Sequence, residues 1–180
     1  MKNTILSMVA VMGLAAAAPV AQGQGYNPFQ IGASGGIAFP TGDLGTGTNT
    51  GYNIAVAVGY KPRFTPVGVR AEAAYNQFGF TNGGGSINIP AFTGNLVYEL
   101  PLGMSFTPYA IGGAGLYRPS AGFTSGGSTT AENDFGWNIG GGIKIPLSTS
   151  FETFIEARYN SVNMTNGTAS FVPLTVGIMF

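Results

Sequence analysis

Two short stretches of this 180-residue chain carry charges in mirrored order. In RAEAAYN, Arg70 and Glu72 flank an alanine; in EARYN, Glu156 and Arg158 flank another. Residues two apart share a face when the backbone is a strand. Glu99, Lys144 and Glu152 fall on the corresponding faces of neighbouring segments. Carboxylates beside cations could serve acid/base catalysis, line a solute path, or pair with one another. Glu152 and Glu156 lie four apart, about 13 Å by strand rise. Glycosidase-type carboxylate pairs need about 5–9.5 Å. The chain has no His and no Cys. That removes the commonest general base, most nucleophile–base pairs, zinc sites and disulfides. Gly83–Gly85 and Gly140–Gly142 are not followed by Lys-Ser/Thr and open no helix, so neither makes a phosphate loop. They read as a loop tip and a strand kink. NMT and NGT at Asn163 and Asn166 match a glycosylation pattern too short to carry weight. The sequence therefore assigns no catalytic, cofactor-binding or metal residue, and no cofactor is expected. Arg70, Glu72, Glu99, Lys144, Glu152, Glu156 and Arg158 read as a structural network of paired, inward-facing charges.

Something must hold those charges inward. Only 8% of residues are charged, against 44% apolar and 12% aromatic. A soluble domain carries about 25% charged residues. Cations and anions number seven each, which offers nothing to nucleic acid. The first residues, MKNTILSMVAVMGLAAAAPVAQGQG, place Lys2 before an apolar run from Ile5 to Ala18. Small residues follow at Ala21 and Gly23. This is a secretory signal peptide pattern over residues 1–23, leaving 24–180 as one domain.

Beyond it, apolar residues recur at every second position, broken by turn residues. Eight segments follow: roughly 29–39, 51–61, 67–78, 89–100, 105–118, 134–146, 151–161 and 170–180. Tyr52, Ile54, Val56, Val58 and Tyr60 make one face of the second; Asn53, Ala55, Ala57, Gly59 and Lys61 make the other. Val67, Val69, Ala71, Ala73 and Tyr75 oppose Arg70, Glu72, Ala74 and Asn76 in the third. In the Gly-rich fifth, spacing of aromatics puts Tyr109, Ile111 and Tyr117 on the apolar outer face. The polar faces are mostly Gly, Ala, Asn, Ser and Thr, a poor solvent surface but a good filling for a narrow interior. Oily faces outward and small polar faces inward define a membrane barrel. A soluble ligand-binding barrel in the periplasm would reverse them.

KPRFTP, LPLGM and PLSTS are short, Pro-bearing turns. The connections 40–50, 79–88, 119–133 and 161–169 are longer and richer in Gly, Thr, Ser and Asn. Short turns on one side and long loops on the other predict an all-β, eight-stranded, antiparallel up-and-down transmembrane β-barrel. Ten strands would follow if a long loop hid a hairpin.

The chain ends FVPLTVGIMF, with Leu174, Val176, Ile178 and Phe180 on one face. This ending, with GASGGIAFPTGDL, GVRAEAAYNQF, PYAIGGAGLYR, FGWNIGGGIKIPL and FIEARYN, resembles small bacterial outer-membrane β-barrel proteins of the OmpX/OmpA-like group. The resemblance implies insertion in the cell outer membrane. It implies a C-terminal signal at Leu174, Val176, Ile178 and Phe180 read by the assembly machinery, and lipid as the main partner. It brings no shared catalytic residues. The expected role is structural or surface-interactive and non-enzymatic, in a monomer; a narrow channel for small solutes is the rival.

Overall fold

The computed structural model describes residues 28–128, 133–148, 151–164 and 167–180. The expected signal peptide, 1–23, and Asn166 of the NGT pattern lie outside the described residues. The strands are β1 (Phe29–Thr41), β2 (Gly51–Tyr60), β3 (Val67–Gly79), β4 (Gly85–Glu99), β5 (Thr107–Tyr117), β6 (Ser120–Phe123), β7 (Asp134–Pro146), β8 (Glu152–Met164) and β9 (Gly167–Met179). A single helical turn, α1 (Gly42–Gly45), follows β1.

Nine strands build eight walls. β6 pairs with β4 in the register that β5 begins, with Tyr117 opposite Ala91 and Ser120 opposite Asn88. The Arg118 amide still donates to the Pro90 carbonyl at 2.9 Å. β6 is therefore the fifth wall continued past Pro119, and the ten-strand count does not arise. Every neighbouring pair is antiparallel, and β9 pairs back onto β1. At the closing seam Ile31 and Phe180 exchange backbone hydrogen bonds of 3.0 and 2.8 Å.

Register fixes the barrel's shape. From Ile31 the partners run Val58, Ala71, Gly94, Ala114, Trp137, Ser161, Ser170 and back to β1 at Thr41, ten residues further on. A shear of ten over eight strands tilts them by about 40°. Each residue then climbs about 2.5 Å along the axis. Large apolar residues face outward from Phe29 and Phe180 at one rim to Phe39 and Phe135 at the other. That band is about 25 Å tall, the height of an outer-membrane hydrocarbon layer. Aromatic pairs mark its edges: Phe29–Tyr60 at 5.1 Å and Phe151–Phe180 at 5.9 Å below, Tyr52–Tyr75 at 6.3 Å and Trp137–Tyr159 at 5.7 Å above. An exposed apolar belt of this height has no counterpart in a soluble barrel, which removes the periplasmic ligand-binding alternative.

Three expectations need correction. The fifth wall is turned the other way: Tyr109, Ile111 and Tyr117 are 3%, 3% and 1% exposed, whereas Leu116 is 55% exposed. The reason lies in β7. A side-chain atom at Gly136 would come within 2.7 Å of the Tyr117 ring, and one at Gly142 within 2.7 Å of the Tyr109 hydroxyl. Gly136 and Gly142 thus leave room for inward rings. Gly136→Ala should therefore cost about 1–3 kcal/mol of stability through overpacking, measured by denaturant titration in micelles; unchanged stability would mean the ring does not lie over Gly136.

Second, the strands outrun the segments expected from alternation. β4 begins at Gly85, β8 reaches Met164 and β9 starts at Gly167. Stretches expected as loops 79–88, 119–133 and 161–169 are partly paired strand that protrudes beyond the belt. Outward residues there, such as Ser86 and Asn88, are polar, as is Gln77 opposite Asn88, so hydrophobic alternation stops before pairing does. Third, the interior is not small and polar throughout. Leu44, Phe78, Ile89, Val162 and Phe171 form one apolar cluster inside, and Val97, Tyr109, Ile111, Phe154 and Met179 form another.

Candidate functional site

The mirrored charges meet at the centre of the lumen. β3 and β8 stand four walls apart by either route round the barrel, face to face. An even number of antiparallel steps makes both run in the same direction. Arg70 precedes Glu72 on one, and Glu156 precedes Arg158 on the other, so each cation meets a carboxylate across the axis. The Arg70 guanidinium bonds Glu156, and that of Arg158 bonds Glu72. Along each strand, Arg158 Nε lies 2.7 Å from Glu156 Oε1, and Arg70 Nε lies 3.7 Å from Glu72 Oε2. Four charges thus close an alternating ring that ties opposite walls together. All four are buried.

The ring has supports above and below. The Tyr109 hydroxyl donates to Glu156 Oε2 at 2.7 Å. The Arg70 guanidinium also lies over the Phe154 ring at 5.7 Å. On the loop side, Tyr117 donates to Asn160 Oδ1 at 3.0 Å, and Asn53 donates to Asn76 Oδ1 at 2.7 Å. The inward turn of β5 matters here: its tyrosines supply hydroxyls that the polar centre needs and sequence reasoning pointed at lipid.

A second cluster closes the end of the barrel where Phe29 and Phe180 lie. Lys144 Nζ lies 2.8 Å from Glu99 Oε1 and 2.9 Å from Glu152 Oε1. Lys61, placed on the inward face by its phase but not named with the charge network, bonds the other oxygen of Glu99. Gln30 donates to Glu152 Oε1 at 3.4 Å. Every inward charge named from sequence thus has an opposite partner: Arg70, Glu72, Glu156 and Arg158 in the ring, Glu99, Lys144 and Glu152 in the end cluster.

Layer by layer, the lumen is full. The apolar cluster around Phe78, Ile89 and Phe171 fills the loop end, and Leu44 of α1 folds over it. The charged ring follows, then the cluster around Phe154 and Met179, then the Lys144 group. A void of about 20 Å³ lies beside Gln30, Arg70, Val97 and Met179. Another, about 10 Å³, lies beside Glu72, Tyr117, Arg158 and Phe171. Each has space for about one water. The described residues hold no group of three or more acidic side chains placed for a metal ion.

The C-terminal residues Leu174, Val176, Ile178 and Phe180 all face outward on β9 and its end. No described helix is long and apolar enough to cross a membrane, a measure that says nothing of strands.

A closed eight-walled barrel with an oily belt outside and paired charges inside is a transmembrane β-barrel. Residues 6–180 match the family model of the outer membrane protein beta-barrel domain, and the chain belongs to that family of outer-membrane proteins. Among solved structures, Neisserial surface protein A shares 16% identity across 87% of this chain and 98% of that one, with a TM-score of 0.71. A major outer membrane protein from Thermus thermophilus shares 13% identity across 86% and 99%, with a TM-score of 0.60. The N-terminal β-barrel domain of Pseudomonas aeruginosa OprF shares 19% across 87% and 100%, with a TM-score of 0.51. At these identities the likeness is one of fold. No curated protein matches the sequence.

Proposed function

We propose that this chain is an integral outer-membrane barrel that works through its exterior and its protruding loops, with the lumen serving only to hold it rigid. One observation carries this reading: the Arg70–Glu72–Arg158–Glu156 ring spans the lumen from wall to wall, and packed side chains lie on both sides of it. An eight-stranded interior is just wide enough for such filling. The lumen carboxylates Glu72, Glu99, Glu152 and Glu156 are each engaged by a cation, which supports a structural rather than an enzymatic part for them. Residues 1–23 would direct export, the outward run Leu174, Val176, Ile178 and Phe180 would be read by the assembly machinery, and the barrel would act as a monomer in lipid.

Planar-bilayer recording tests the reading against a narrow solute channel. The purified protein should give no sustained unitary current across a wide voltage range. Regular unitary steps with a fixed ion selectivity would mean that solutes cross and that the ring opens.

A further inference from the structure

Four described cations, Lys61, Arg70, Lys144 and Arg158, are paired inside the barrel. Two lie outside it. Arg63 sits on the turn between β2 and β3, its guanidinium 5.0 Å from the centre of the Phe64 ring. Arg118 sits at the opposite rim, where β5 passes into β6, and is exposed. Tyr117 points inward, so by alternation Arg118 points out toward the membrane side.

The surface around Arg118 changes character within one residue pair. Below it, Phe92, Leu116 and Phe135 are register partners and are 64%, 55% and 58% exposed. Above it, Gln77, Asn88 and Ser120 are register partners on the same outward phase. With the strand tilt, Arg118 stands about 5 Å above Leu116. That is the level where hydrocarbon gives way to headgroups. Among the described residues, no carboxylate pairs with its guanidinium. A cation there meets whatever anion sits directly above an acyl chain.

We propose that Arg118 is a binding point for the phosphate of an acidic lipid in the leaflet at the loop end. The lipid's acyl chain would run down over Leu116 and Phe135, while the guanidinium, suited to phosphate by its fork of donors, holds the head. The occupant is a lipid rather than free phosphate because the cation is continuous with the apolar belt.

The chain's single tryptophan reports on this site. Trp137 faces lipid on β7, next along the strand from Phe135 on the same face. The protein is reconstituted in vesicles of brominated phosphatidylcholine, which quenches Trp137. Unbrominated phosphatidic acid or unbrominated phosphatidylcholine is then titrated in. Phosphatidic acid should relieve quenching about fivefold more effectively, the size of one surface cation–headgroup attraction. Arg118→Gln should abolish the preference, Arg118→Lys should keep most of it, and Arg63→Gln should leave it unchanged. Equal potency of the two lipids, or a preference that survives Arg118→Gln, would overturn the assignment.

Discussion

Arg158→Ala should destabilise the barrel by about 3 kcal/mol or more. The substitution leaves Glu72 and Glu156 facing each other, deeply buried, with Arg70 as their one remaining partner in the ring. Removing one member of a buried ion network costs more than the network contributes, because the stranded charge loses both water and partner. The signature is non-additivity. A quadruple variant, Arg70→Met, Glu72→Gln, Glu156→Gln and Arg158→Met, should be more stable than Arg158→Ala alone, since it buries no net charge. Denaturant titrations of the three proteins in detergent micelles, followed by heat-modifiable migration on gels, decide it. If Arg158→Ala unfolds at the same denaturant concentration as the parent, the ring is not a buried network.

Val56→Arg should cost about 2–4 kcal/mol, and Gln77→Arg close to nothing. Both are outward positions on paired strands. Val56 stands midway between Tyr52 and Tyr60, at the middle of the hydrocarbon layer; Gln77 lies above the belt. A soluble protein would show no such depth dependence at exposed strand positions. Titrations in phospholipid vesicles measure the difference, and equal costs at the two sites would mean that the belt does not face lipid.

Much of this was legible because a period of two states its own phase. Val56, Ile139 and Val176 declare the outer face wherever the opposite face is polar. The charged ring was legible too, since RAE and EAR in mirrored order on two parallel-running strands must match charges across the axis. β5 was not legible. Its outer positions are Ala110, Gly112, Ala114 and Leu116, and its inner ones are Tyr109, Ile111, Gly113, Gly115 and Tyr117. Hydrophobic weight points the wrong way there, because the rings turn inward over the glycines of β7, a contact between segments that no single segment reveals. The apolar plugs were missed for a related reason. Phe78, Ile89, Phe154 and Phe171 lie on inward phases, but a large ring fits inside only where its neighbours across the lumen are small. Strand lengths were underestimated because backbone pairing continues above the belt, where nothing selects for alternation.

The direction in which each face of the barrel points can be measured directly. Since the chain has no cysteine, single cysteines can be introduced and spin-labelled one at a time. Labels at Val56, Ile139, Val176 and Ala114 in bilayers should collide freely with dissolved oxygen and hardly at all with a water-soluble nickel chelate. A label at Asn138, which faces the lumen, should be immobile and shielded from both. Oxygen-poor, immobile or nickel-accessible labels at the four outer positions would mean that these faces do not meet lipid.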